Sequence, residues 1–104
     1  MKLQTSSGRL KKPRLLVVRR VVGSSMLPTL KPGQIVIGIR PRIIEGRLVI
    51  AVHKDKEIVK RLTKIDGNKI YIIGDNPDQS SDSRNFGWIN KNQLLASVIW
   101  PRNL

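Results

Sequence analysis

Two polar stretches stand out in a chain otherwise rich in Val and Ile. In the first, Gly23-Ser24-Ser25-Met26-Leu27-Pro28-Thr29-Leu30-Lys31-Pro32-Gly33, small hydroxyl residues lead into a proline-stiffened turn. A serine on such a turn can be presented with its backbone N–H free, which suits both a nucleophile and an oxyanion donor. The second, Gly74-Asp75-Asn76-Pro77-Asp78-Gln79-Ser80-Ser81-Asp82-Ser83-Arg84, is dense in side chains that bond to backbone. A nucleophilic serine needs a base, and His53, the single histidine, falls at a strand end. A lysine held neutral can do this work instead. Lys60 is the best candidate, because strand alternation in Glu57-Ile58-Val59-Lys60-Arg61-Leu62 puts Ile58, Lys60 and Leu62 on one face and Val59 and Arg61 on the other. An ammonium on an apolar face is desolvated, and its pKa falls.

Strands must position these groups. Short Val- and Ile-rich runs at 15–22, 34–40, 47–53, 57–63, 69–73 and 94–100 are separated by turn residues such as Lys31-Pro32-Gly33 and Glu45-Gly46. Lys54-Asp55-Lys56 and Asp66-Gly67-Asn68 have the spacing of hairpin loops, so 47–53, 57–63 and 69–73 are expected to form an antiparallel meander. Helix signals are confined to a turn or two at 25–30, held back by Pro28 and Pro32, and another near 90–95. The expected fold is therefore a small all-β domain.

Composition narrows the chemistry. With 104 residues there is room for one domain, expected over 14–104, preceded by a basic arm at 1–13. The absence of cysteine excludes a disulfide scaffold, a thiol nucleophile and Cys-based metal sites, and one histidine excludes a His-rich one. No metal or cofactor is expected: Asp75, Asn76 and Asp82 read as a turn network, with no calcium-loop pattern. The longest apolar runs fall far short of the roughly 20 residues that span a bilayer. The first 13 residues lack the apolar segment of a secretory signal, which points to the cytoplasm. The net charge is +13, and no acid occurs before Glu45; the basic arm reads first as a solvated, solubilising tail, with peripheral contact to an anionic membrane as the alternative.

In this order, Gly-x-Ser-Met-x-Pro-Thr-Leu-x-x-Gly, Val-Lys-Arg-Leu and Gly-Asp-Asn-x-x-x-Ser-x-Asp-Ser-Arg-x-x-Gly resemble the motifs of type I signal peptidases and their Ser/Lys-dyad relatives, the S26 and S24 peptidase types. The resemblance runs from about Val22 to Trp88. The short length and the Asp-Ser-Arg-Asn-Phe-Gly and Val-Ile-Trp-Pro-Arg segments look most like the branch that matures nickel-type superoxide dismutase. The resemblance implies a small mixed or antiparallel, partly open β-barrel. It further implies a serine endopeptidase that removes an amino-terminal leader from a precursor, with Ser25 as nucleophile, Lys60 as general base and Ser80 orienting the lysine. Asp82 and Arg84 would form an ion pair bracing the loop, with Asp75 and Asn76 as further support. The Ser25 backbone N–H would be one oxyanion donor. Where some relatives place a serine for the second donor, this chain has Gly23, leaving Ser24 or a water as substitute. Val22, Met26, Leu30, Ile58 and Val59 would line a shallow apolar pocket for a small side chain.

Two other readings compete. The same segments resemble the self-cleaving peptidase domain of SOS-type repressors, although the first 22 residues have no room for a DNA-binding domain. A basic nucleic-acid-binding β domain is the alternative of a different class, disfavoured because no helix-turn-helix, RNA-binding aromatic motif or zinc finger is present. Phe86, Trp88 and Trp100 are too scattered for a base-stacking platform and read as core and rim packing.

Overall fold

A computed structural model describes residues 16–102 and 104. The basic arm at 1–13 and the expected strand start at Leu15 lie outside the described residues. Among the described residues the strands are β1 (Val17–Arg20), β2 (Ile35–Ile39), β3 (Leu48–His53), β4 (Lys56–Asp66), β5 (Lys69–Ile73), β6 (Ile89–Asn90) and β7 (Leu94–Trp100), with a short helix, α1 (Ser83–Phe86). They form a single sheet in the order β1-β2-β7-β3-β4-β5-β6, antiparallel at every pairing. The architecture is all-β, a partly open barrel whose edges are β1 and β6.

The expected meander is β3-β4-β5. Its first turn places Lys54 and Asp55 at φ 51° and 64°, and Gly67 at φ 58° begins the second. Two consecutive positive φ values match the right-handed twist of the strands a two-residue turn joins. β4 runs from Lys56 to Asp66, longer than the expected 57–63, because both hairpin turns are tighter than the sequence signals implied. The 90–95 helix signal resolves into a 3₁₀ turn at Lys91–Gln93 followed directly by β7.

Apolar side chains are buried on both faces of the sheet, as the near-continuous hydrophobic run of β3 requires. Leu48 and Ile50 point into one cluster, with Val17, Val21, Met26, Leu30, Val36, Ala96 and Val98. Val49 and Ala51 point into the other, with Leu62, Ile70, Ile72, Ile89 and Leu94. Along β4 the same alternation sends Val59 toward the first cluster and Ile58 and Leu62 toward the second. Lys60 shares the parity of Ile58 and Leu62, so β-strand geometry alone directs its side chain beneath the sheet surface.

Candidate active site

Ser25 lies in the turn between β1 and β2, and the core holds that turn from below. Met26 and Leu30 are 1% and 0% exposed. Burying each contributes roughly 1.5–3 kcal/mol. Leu30 N–H donates to the Met26 carbonyl at 2.9 Å, closing a single helical turn without a full helix. Both residues, expected from sequence to line the substrate pocket, are drawn into the core and anchor the turn, and neither is among the described residues lining the cleft that Ser25 shares with Lys60.

Lys60, in the middle of β4 and opposite Val49, is 4% exposed. Burial pushes its ammonium below the ordinary lysine value and outweighs attraction to Asp82, while Arg84 adds to the depression. Its Nζ donates to Ser80 Oγ at 3.0 Å, and Ser80 Oγ donates in turn to Asp82 Oδ2 at 2.6 Å. Among the described residues this chain, rather than a bond to Ser25, occupies the amine. Ser25 and Lys60 meet in one cleft of about 170 Å³, whose walls also include Val22, Ile50, Ile58 and Val59. Val22, Ile58 and Val59, named for the substrate pocket from sequence, are thus among the residues lining this cleft. Arg19, Arg20 and Glu57 add a charged side that the apolar expectation missed. Arg19 Nε donates to Glu57 Oε1 at 2.5 Å across that side.

Asp82 is fully buried and caps the N-terminus of α1, accepting from the Arg84 N–H at 3.0 Å. It also receives the Gly74 N–H at 2.7 Å and pairs with the Arg84 guanidinium through Nε at 2.9 Å and Nη2 at 2.5 Å. Burial alone would raise its pKa. Arg84, the Gly74 and Arg84 N–H groups and the Ser80 hydroxyl together hold it well below the ordinary carboxylate range. Asp82 therefore stays an anion, and an anion can only accept, so the Ser80 hydroxyl must spend its proton on Asp82 and turn a lone pair toward Lys60. Ser83 Oγ accepts the Ile72 N–H at 2.9 Å and pins α1 to β5.

The polar loop after β5 is also bound to the serine turn. Asn76 N–H donates to the Ser25 carbonyl at 2.8 Å, and Asn76 Nδ2 to the Ser24 carbonyl at 2.9 Å. Asp75 receives Thr29 Oγ1 at 2.5 Å and a bidentate pair from Arg61, Nε at 2.9 Å and Nη2 at 2.7 Å. Arg61 and Thr29 keep the Asp75 carboxyl below its usual range, against the effect of burial. Thr29 and Arg61 were not singled out from sequence. Their signal was adjacency, one inside the Pro-Thr turn and the other beside Lys60. Ser24 takes part through its carbonyl and is not among the described residues lining the cleft, so its expected service as oxyanion donor gains no support from position. Gly74 is needed for close approach: a Cβ there would land on Ser80 Oγ and within 2.7 Å of the Ser25 carbonyl oxygen.

His53 ends β3 and stacks on Phe86, with ring centroids 3.9 Å apart. It stands outside the Ser25–Lys60 cleft. Among the described residues, no helix is long and apolar enough to cross a membrane. The family model for Peptidase S24-like proteins matches residues 1–98, and comparison with curated proteins finds no match.

Proposed function

The chain belongs to the S24-like peptidase family, and from that premise we propose that it is a Ser/Lys-dyad endopeptidase, with residues 14–104 as the catalytic unit, that removes the leader of a precursor protein. The observation that carries this reading is the shared cleft of Ser25 and a buried, desolvated Lys60. A lysine whose pKa is lowered by burial gives up its proton more readily than a free one, and its neutral form has a lone pair with which to act as a base.

In the proposed reaction neutral Lys60 Nζ takes the Ser25 Oγ proton as Oγ attacks the scissile carbonyl carbon. The resulting oxyanion receives the Ser25 N–H. Collapse breaks the C–N bond, and the Lys60 ammonium returns the proton to the leaving amine. Water then attacks the acyl carbon, giving a proton to Lys60; collapse breaks the bond to Ser25 Oγ, releases the new carboxyl terminus, and Lys60 returns the proton to Oγ. Ser80 and Asp82 act as positioning residues, and the small cleft suits a small side chain before the scissile bond.

The resemblance to the maturation branch makes the nickel superoxide dismutase precursor the first substrate to try. Mass spectrometry after incubation from about pH 6 to about pH 10 should show one cut that vanishes with Ser25→Ala. Lys60→Ala should slow it at least a hundredfold, within the usual range for general-base loss. A fully active Lys60→Ala protein would sink the dyad. Self-cleavage, the activity implied by the SOS-type resemblance, remains a second reading favoured by the S24-like match. It predicts a Ser25-dependent shortened product when the protein is incubated alone, whereas leader removal in trans predicts none.

A further inference from the structure

A second cavity lies beyond Ile58 from the catalytic cleft. Its walls include His53, Lys54, Lys56, Ile58, Ser81 and Phe86, and its volume is about 440 Å³. Ile58 borders both spaces, so the cavity adjoins the cleft of Ser25 and Lys60. Ser81 also follows Ser80, which holds Lys60. The cavity is therefore attached to the catalytic apparatus on two sides.

Its chemistry is one-sided. Lys54 and Lys56 are exposed cations, with Asn85 adding an amide to the wall. His53 Nε2 is buried and has no hydrogen-bond partner among the described residues. Its ring is fixed by stacking on Phe86, so it cannot swing out to water without losing that contact. With no accessible surface and a fixed ring, Nε2 offers no contact to a ligand, and the polar side of the cavity is set by Lys54, Lys56 and Asn85. Glu57, the acid nearest in β4, is engaged by Arg19 at the catalytic cleft. Asp55, in the turn between the two lysines, is not among the described residues lining the cavity.

We propose that this cavity is a subsite for an acidic side chain of the polypeptide substrate, its carboxylate meeting Lys54, Lys56 and the Asn85 amide and its methylenes lying on Ile58 and Phe86, beside the His53 ring. The assignment rests on the peptidase reading and adds to it a substrate class: polypeptides with Asp or Glu close to the scissile bond.

The first test needs no turnover. The isotope-labelled His53 ring of the Ser25→Ala protein is followed by NMR during titration with N-acetylaspartate methylamide and, separately, with N-acetylasparagine methylamide. The acid should give saturable His53 shifts and the amide none. The double variant Lys54→Met with Lys56→Met should weaken acid binding roughly fivefold, as expected for two exposed charges. Equal response to both probes, or to neither, overturns the anion site even if the dyad is active. The second test uses a cleavable peptide with Asp walked along successive positions. One position should raise kcat/KM, and that gain should disappear in the double-lysine variant. A flat series overturns the substrate assignment, whereas a peptidase that cuts no peptide at all identifies a failure of the functional reading instead.

Discussion

Lys60 carries the largest conflict between stability and use. Because its pKa is lowered by burial, the folded protein releases that proton before the unfolded chain does at the ordinary value of 10.5. Between the two values the unfolded chain binds more protons, so stability gained from neutralising Lys60 rises with pH, and the cost of burying its charge is full below that window. Lys60→Met should therefore raise Tm at neutral pH, with the gain shrinking toward pH 10.5, which thermal melts across pH would reveal. Activity of the wild type should rise along the same direction, with its ascending limb below the ordinary lysine pKa. Asp82 also has a lowered pKa, so stability again rises with pH, but here as a gain and not as a relieved cost. Its depressed pKa stabilises the fold fully above the ordinary value of 3.8 and is lost as pH falls below it. Asp82→Asn should cost about 2 kcal/mol or more, since an amide turns a donor toward the Gly74 N–H, Ser80 and Arg84. Urea midpoints measured from neutral to acid pH should then show a shallower fall for the variant than for the wild type.

The elements work as a three-part clamp. The β1–β2 turn supplies Ser25, β4 supplies Lys60 and Arg61, and the loop between β5 and β6 ties them together through Asp75, Asn76, Ser80 and Asp82. Its geometry depends on Gly74, where loop and turn come closest. Gly74→Ala should displace Ser25 and Ser80 by a fraction of an ångström to an ångström, and misplacement on that scale can cost about a hundredfold in rate. Steady-state kinetics beside a melting curve would check this: the rate should fall far more than stability. An unchanged rate would mean that the close approach is not needed for catalysis.

At the scale of the whole molecule, the net charge of +13 opposes compaction. Raising ionic strength from about 0.01 M to about 0.15 M shortens the Debye length from about 30 Å to about 8 Å and screens that repulsion. Tm should therefore rise with salt by a few degrees, although surface pairs such as Arg19–Glu57 weaken under the same conditions. The exposed β1 edge, which carries Arg19 and Arg20, is protected from pairing with another chain by the same positive charge.

The sequence by itself determined the all-β class, the β3-β4-β5 meander and the apolar facing of Lys60, because a period of two and tight turns are local properties. It also marked the serine turn and the polar loop as unlike the strands around them. Only the tertiary structure decided which of the turn's apolar residues face the cleft, since Met26, Leu30 and Val22 are equally hydrophobic in sequence and separate only through packing. The partners of Asp75 were likewise hidden: Thr29 lies 46 positions away and Arg61 14. Hydrogen bonds across such separations are set by the order in which the strands pair, and nothing in local propensity encodes that order.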